Sequence, residues 1–142
     1  MKSTGNTNIL IIDLGTANKY DLVLSNGDYV GGIIAPGLIT SSIALNLNTG
    51  KLPLIKFNKL SRNSPLIGKN TFEAIQSGLV NYMKLATEGI VDGVKRKYPG
   101  KLNIYITGGS AGLIKSKLNF DYKYTENSVL HGLNYVINFQ KA

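Results

Sequence analysis

The sequence has little of several residue types on which protein chemistry often depends. It contains no cysteine and a single histidine. Disulfides, cysteine-based zinc sites and thiol nucleophiles are therefore excluded, and one histidine argues against a transition-metal site or a serine–histidine triad. No apolar run approaches the length of a membrane span, and the start of the chain lacks the apolar core and cleavage site of a signal peptide. We expect a soluble, cytoplasmic protein.

What is present fits one globular domain. The chain has 142 residues, 43% of them hydrophobic and 17% charged, and such a chain can bury a core without disulfides or a metal. The formal net charge of +8 favours anionic partners. However, the sequence has few arginines beside its many lysines, and proteins that recognise nucleic-acid sequences rely on arginine for bidentate contacts with bases. A solvated basic surface is therefore favoured over a nucleic-acid-binding patch, and a basic nucleic-acid-binding protein stays an alternative supported by charge alone.

The chain opens with strand patterns. Residues 8–14 form a continuous aliphatic run that ends at Gly15, as a buried strand ends at a tight turn. Asn26-Gly27 then separates two β-rich segments, residues 19–24 and 29–34, and this spacing predicts a hairpin. The start of the domain is therefore predicted to be an antiparallel meander.

Two helices follow. Apolar residues at helical spacing predict a helix over residues 38–47, and residues 51–69 indicate a loop. A longer helix is predicted to begin at Asn70 or Thr71 and to end before Pro99-Gly100. Its apolar stripe consists of Ile75, Leu79, Tyr82, Met83, Ala86, Ile90 and Val94.

The end of the chain alternates strands and helices. We predict a strand over residues 102–106, a short helix over 111–118, a short strand over 120–124 and a final helix from Asn127 or Ser128 to Phe139. The order β-β-β-α-α-β-α-β-α fits an α/β domain with a mixed central sheet. The predicted domain covers residues 9–142, with residues 1–8 as a frayed end.

Three segments carry groups that suit a phosphate ligand. Asp13 to Ala17 joins a buried strand to a turn, where amides and the Thr16 hydroxyl can donate to phosphate oxygens and Asp13 can hold a cation. Gly108-Gly109 follow a second strand, where an anion or a flat base can approach the backbone. Thr71 begins the long helix, where it can contact a ligand or merely cap the helix.

Together these segments resemble the C-terminal half of type III pantothenate kinase, of the acetate and sugar kinase/Hsp70/actin superfamily. The segments that carry the resemblance are Ile11 to Ala17, Gly31 to Leu38, Ile67 to Gly78 with Val91-Asp92-Gly93, and Thr107-Gly108-Gly109. The resemblance implies an RNase H-like, actin-like ATPase domain. It also implies transfer of the ATP γ-phosphoryl group to the hydroxyl of pantothenate, the first step of coenzyme A biosynthesis, with Mg²⁺ and a monovalent cation (K⁺ or NH₄⁺), by a dimer.

The resemblance also assigns residue roles. Asp13 would bind the monovalent cation, Gly15 and Thr16 would contact ATP with Gly108 and Gly109 bordering the nucleotide, and Thr71 would touch pantothenate. Two departures bear on these roles: Asn18-Lys19 stand where the family usually has two threonines, and Ser110-Ala111 where it usually has Leu-Ala.

The family's catalytic base lies in a Gly-x-Asp-Arg motif of its N-terminal half, and this motif does not occur in the sequence. No catalytic residue is therefore assigned to this chain. We expect it to supply one wall of an ATP site and to have little or no kinase activity alone, with a second copy or a separate N-terminal half as partner. A non-catalytic nucleotide-binding, regulatory or dimerisation module is the alternative.

Overall fold

The computed structural model describes residues 7–57 and 63–126. In this part of the chain, a five-stranded sheet has the order β3-β2-β1-β4-β5. The elements are β1 (Thr7–Leu14), β2 (Ala17–Val23), β3 (Tyr29–Pro36), α1 (Leu38–Thr49), α2 (Thr71–Lys97), β4 (Lys101–Thr107) and β5 (Lys123–Tyr124). The first three strands are antiparallel, whereas β1, β4 and β5 run parallel. The predicted mixed α/β fold of the RNase H-like class is confirmed.

The centre of the sheet is β1, whose aliphatic side chains alternate between two faces. Leu10, Ile12 and Leu14 lie on one face and are at most 1% exposed. They join a core that also contains residues of β2, α2 and β4, among them Tyr20, Leu22, Val80, Met83, Val91, Ile104 and Ile106. A continuous aliphatic run is what a strand with neighbours on both sides requires.

The first two connections are tight turns. In the β2–β3 turn, the amide of Gly27 donates to the Leu24 carbonyl oxygen at 2.9 Å, and Gly27 has a φ of +94°. This left-handed backbone suits glycine, because glycine has no β-carbon to clash. The predicted hairpin is confirmed, and β1 begins at Thr7, two residues before the predicted domain boundary.

The long helix is capped as its sequence indicates. The side chain of Asn70 accepts a hydrogen bond from the amide of Glu73 at 2.9 Å, and the Glu73 carboxylate accepts one from the amide of Lys69 at 2.9 Å. Lys95, Arg96 and Lys97 lie in the last turn, where positive charge complements the helix dipole. Thus α2 has the predicted start and end.

The exposed face of α2 differs from the one that its predicted apolar stripe implies. Ile75 and Met83 are buried as predicted, but Tyr82 is 73% exposed and does not pack in the core. In α1 the buried residues are Leu38 and Ser42, while the apolar side chains of Ile39, Ile43 and Leu47 are exposed. Both helices therefore present apolar groups to solvent.

Residues 111–118 form two short 3₁₀ turns, Ala111–Leu113 and Lys115–Lys117, and not the predicted helix. Ala111 and Ile114 are both fully buried. Residues three apart align in a 3₁₀ turn, so the tighter winding points both side chains into the core. Of the strand predicted over 120–124, only Lys123–Tyr124 pair with β4, while Phe120, Tyr122 and Tyr124 all pack against the core.

The final helix predicted from Asn127 or Ser128 to Phe139 lies outside the described residues, as do residues 1–6. Within residues 7–57 and 63–126, no helix has the length and apolar character needed to cross a membrane.

A buried hydrogen bond joins the sheet to α2. The Tyr20 hydroxyl and the Thr87 hydroxyl lie 3.0 Å apart, and Thr87 donates to the Met83 carbonyl oxygen at 2.8 Å. Burial raises the pKa of the Tyr20 phenol, which outweighs the lowering by the bond with Thr87. The phenol is therefore neutral in the folded protein at neutral pH.

We predict that Tyr20→Phe destabilises the fold by about 1 kcal/mol, because it removes this hydrogen bond while Thr87 keeps its bond to Met83. Urea unfolding followed by circular dichroism measures the change. Tyr105→Phe is the matched control and should leave the free energy of unfolding unchanged, since the hydroxyl of Tyr105, in β4, makes no hydrogen bond within the described residues. Equal effects of the two substitutions would contradict the prediction.

The wild type and Tyr20→Phe together test the raised pKa of the Tyr20 phenol. As the pH rises through about 10, the unfolded chain releases the Tyr20 proton before the folded chain does. The unfolded state then binds fewer protons, so stability falls with rising pH. We expect wild-type stability to fall more steeply than that of Tyr20→Phe between about pH 9 and pH 11, and parallel curves would refute this assignment.

Candidate functional site

The candidate site lies where β1 and β4 end. These strands are parallel neighbours whose register sets Asp13 opposite Thr107. Because the carboxyl ends of parallel strands share one edge of a sheet, the turns that follow them lie side by side, at the edge where open α/β sheets bind ligands. The structure thereby brings together Asp13, Gly15, Thr16, Gly108 and Gly109.

Gly108 makes this close arrangement possible. Its φ is +98°, and a β-carbon there would lie 2.5 Å from the backbone of Leu14. The amide of Ser110 donates to the Leu14 carbonyl oxygen at 2.9 Å, which ties the two turns together. Only glycine satisfies both the backbone angle and the contact, so this residue shapes the site whatever ligand it binds.

Gly109 and Thr16 face open space. A β-carbon at Gly109 would meet nothing within 4 Å, and the Thr16 side chain is exposed. Within the described residues, no hydrogen bond involves the Thr16 hydroxyl, whereas the Thr16 carbonyl oxygen has two partners. A flat or anionic group can therefore approach the backbone at Gly109 and the hydroxyl of Thr16.

The two partners of the Thr16 carbonyl oxygen, Gly37 and Thr40, lie at the start of α1 and were not among the predicted site residues. The amide of Gly37 donates to the Thr16 carbonyl oxygen at 3.0 Å, and the Thr40 hydroxyl donates to the same oxygen at 2.7 Å. A β-carbon at Gly37 would overlap the Gly15 carbonyl oxygen. Gly37 directly follows β3 in the sequence, but its contact with Gly15 depends on how α1 packs.

The second unpredicted feature is an ion pair. The β1–β2 register sets Lys19 opposite Asp13, and the Lys19 Nζ lies 2.9 Å from an Asp13 carboxylate oxygen. The hydrogen bond to Asp13, followed by the charge of Asp13, raises the pKa of the Lys19 ammonium. Lys19 is about half exposed, so its positive charge is also accessible to a ligand at the turn.

Asn18, the other departure from the family motif, lies on the opposite face of β2. It is 5% exposed, its Nδ2 donates to the Pro36 carbonyl oxygen at 3.5 Å, and its Oδ1 has no partner among the described residues. Of the two substituted positions, only Lys19 therefore lies on the face of Asp13.

Thr71 lies elsewhere on this chain. It begins α2 with its side chain exposed, on an open groove that Leu45, Leu52 and Gly68 also line. Within the described residues, no hydrogen bond or ion pair joins Thr71 to the turn at Gly15 and Thr16. The contact of Thr71 with pantothenate therefore stays a prediction.

The acidic residues of the site limit the metals it suits. Among the described residues, no cluster of three or more His, Asp or Glu could hold a metal ion. Mg²⁺ is commonly held by one or two carboxylates together with substrate phosphates. Because the Asp13 carboxylate is already paired with Lys19, the phosphates of a bound nucleotide would be the main ligands of Mg²⁺. The Lys19 ammonium lies 2.9 Å from the Asp13 carboxylate, so a monovalent cation held there would stand beside a positive charge.

Comparisons with known proteins show which proteins this chain is similar to. A family profile described as type III pantothenate kinase matches residues 1–93. The chain is similar to the type III pantothenate kinase of Sulfurihydrogenibium, with 36% identity over 131 residues, covering 92% of this chain and 51% of that protein. It is also similar to the type III pantothenate kinase of Desulfotalea psychrophila, with 39% identity over 115 residues, covering 79% of this chain and 42% of that protein. The chain thus spans about half the length of the curated relatives it matches.

A solved structure shares the fold. The crystal structure described as a Baf family transcriptional activator from Campylobacter jejuni superposes with a TM-score of 0.53 at 21% identity. The match covers 93% of this chain and 58% of that one. At this identity, the likeness shows the fold alone.

We predict that Gly108→Ala destabilises the protein by about 2 kcal/mol or more, because it forces a side chain into a left-handed backbone conformation and against Leu14. Gly109→Ala is the matched control, since a β-carbon there meets open space, and it should change stability by less than about 0.5 kcal/mol. Thermal unfolding of the two variants measures the difference. A stable Gly108→Ala variant would contradict the close approach of the two turns.

Proposed function

Because the chain belongs to the type III pantothenate kinase family, we propose that it supplies one wall of a site that transfers the ATP γ-phosphoryl group to the hydroxyl of pantothenate. The observation that carries this proposal is the junction of the Gly15-Thr16 turn with Gly108-Gly109 at the ends of β1 and β4. Phosphoryl transfer depends on positioning and on charge stabilisation, and this edge offers both kinds of group.

Each group has a place in the proposed chemistry. The Thr16 hydroxyl and the turn amides donate to ATP phosphate oxygens, and the open backbone at Gly109 borders the base or sugar. Mg²⁺, held by the ATP phosphates, would neutralise negative charge on the transferred group. Thr71 contacts pantothenate in the assembled protein.

A second polypeptide segment completes the site. The chain spans about half of its relatives, and no residue described here serves as a base for the pantothenate hydroxyl. Exposed apolar side chains on α1, at Ile39, Ile43 and Leu47, support a contact with another segment. The complementary half would bring the base to the other wall, and the chain alone would have little or no activity.

A dimer through α2 is the second part of the proposal. The exposed face of α2 carries Gly78, Tyr82, Leu85 and Gly89 at helical spacing. Apolar side chains flanked by glycines let a second helix approach closely. A second copy of this chain is the occupant that this self-complementary stripe fits best.

We predict phosphopantothenate from this chain only when it is mixed with the part of the Sulfurihydrogenibium relative that it does not match, in the presence of ATP, Mg²⁺, K⁺ and pantothenate. Mass spectrometry detects the product, and a fusion of the two halves tests the chemistry if they bind weakly. An inactive fusion that still binds ATP would favour the non-catalytic nucleotide-binding module and refute the kinase proposal.

Thr16→Val sharpens this test. It should lower the activity of the mixture roughly 100-fold, as loss of one transition-state donor does, without altering stability. Thr49→Val is the matched control, because the Thr49 hydroxyl bonds only the Leu45 carbonyl oxygen within α1. Equal activity of both variants would exclude the Thr16 hydroxyl from the site.

We predict that Leu85→Lys shifts the chain from dimer to monomer in sedimentation equilibrium, because it places like charges across the paired helices. Ile43→Lys makes the same type of change on α1 and should leave the dimer intact. A monomeric wild-type chain, or dissociation by Ile43→Lys alone, would contradict an interface on α2.

A further inference from the structure

We propose that the Lys19 ammonium is the resident cation of Asp13, so that the nucleotide site of this chain works without a monovalent metal ion. The inference rests on the proposed kinase function. It concerns the one position on the face of Asp13 where this sequence departs from the motif it resembles, and it assigns Lys19 a role in holding phosphate.

The hairpin fixes the pair. Asp13 and Lys19 are directly opposed in the β1–β2 ladder, so their β-carbons lie on the same face of the sheet and their separation is set by the strands. The Nζ-to-oxygen distance of 2.9 Å is that of a charge-assisted hydrogen bond. The ammonium therefore has a defined position at the turn.

The chemistry of an ammonium group suits the task. Lysine carries a compact positive charge with three donors. One donor meets Asp13, which leaves two that can turn towards oxygen atoms at the adjacent Gly15-Thr16 turn. A bound monovalent cation would likewise neutralise the carboxylate and attract phosphate oxygens, but it would have to be captured from solution.

The two cations exclude each other. Asp13 carries one negative charge, and Lys19 already balances it. A K⁺ ion placed at the same carboxylate would add a second positive charge in contact with the first. The nearby Asp21 carboxylate accepts a hydrogen bond from the Tyr29 hydroxyl and acts on Lys19 only through its charge. Removal of the ammonium should therefore open a cation site that the wild-type chain lacks.

Thermal unfolding with and without ATP and Mg²⁺ tests this directly. The midpoint is compared in KCl and in tetramethylammonium chloride at equal ionic strength. We expect no difference between the salts for the wild-type chain and a higher midpoint in KCl for Lys19→Thr. Lys19→Gln replaces Lys19→Thr in this comparison if the threonine variant does not fold.

Two controls separate a specific site from general salt effects. Lys101→Thr removes an exposed strand lysine far along β4 from Thr107 and should behave as the wild type. Adding Asp13→Asn to Lys19→Thr should abolish the K⁺ response. A K⁺-stabilised wild-type chain, or a Lys19→Thr variant without a K⁺ response, would overturn the inference.

Activity provides the second readout. Mixed or fused with the complementary half, the wild-type chain should be equally active in the two salts, whereas Lys19→Thr should be at least tenfold more active in KCl. Wild-type activity that needs K⁺ would overturn the inference and leave the kinase function standing. An inactive protein in both salts would refute the proposed function, and the unfolding midpoints would still decide the role of Lys19.

Discussion

The parallel pairing of β1 with β4 is the constraint on which the rest of the structure depends. It makes both strands end at one edge, and it forces the backbone after β4 against Leu14. That contact leaves room for no side chain at Gly108. The core behind it, built from Ile12, Leu14 and Ile106, holds the two turns in place, so packing and site geometry have one origin.

Much of this fold could be predicted because its signals are local. A pattern of a few neighbouring residues predicts the aliphatic strand β1, the Asn26-Gly27 turn and the Asn70 cap. Residues 111–118 could not be predicted in the same way. Their apolar pattern suits a helix, and only the demand that Ala111 and Ile114 enter the same core selects the tighter 3₁₀ winding. Tyr82 shows the related difficulty that an aromatic residue at helical spacing need not face the core of its own chain.

The site residues also divide into those that a local motif identifies and those that depend on packing. The glycines and Thr16 are recognisable from their motifs, whereas the Gly37 and Thr40 contacts with the Thr16 carbonyl oxygen depend on how α1 packs after β3. The ion pair at Asp13 is an intermediate case. The hairpin itself can be predicted, but counting outward from a two-residue turn at Gly15-Thr16 would pair Asp13 with Asn18. Only the three-residue connection from Gly15 to Ala17 sets Lys19 opposite Asp13.

The outermost position of β3 has its own consequence. This strand borders the described sheet, it carries no charged residue, and Tyr29, Val30, Ile33 and Ile34 are all exposed along it. Unpaired backbone groups beside apolar side chains are a template for strand addition between molecules. The irregular register at Leu22/Val23 and the positive φ of Gly31 distort one end of the border and so restrict that growth. The regular stretch from Ile33 to Pro36 is therefore the part of this edge that best suits strand addition.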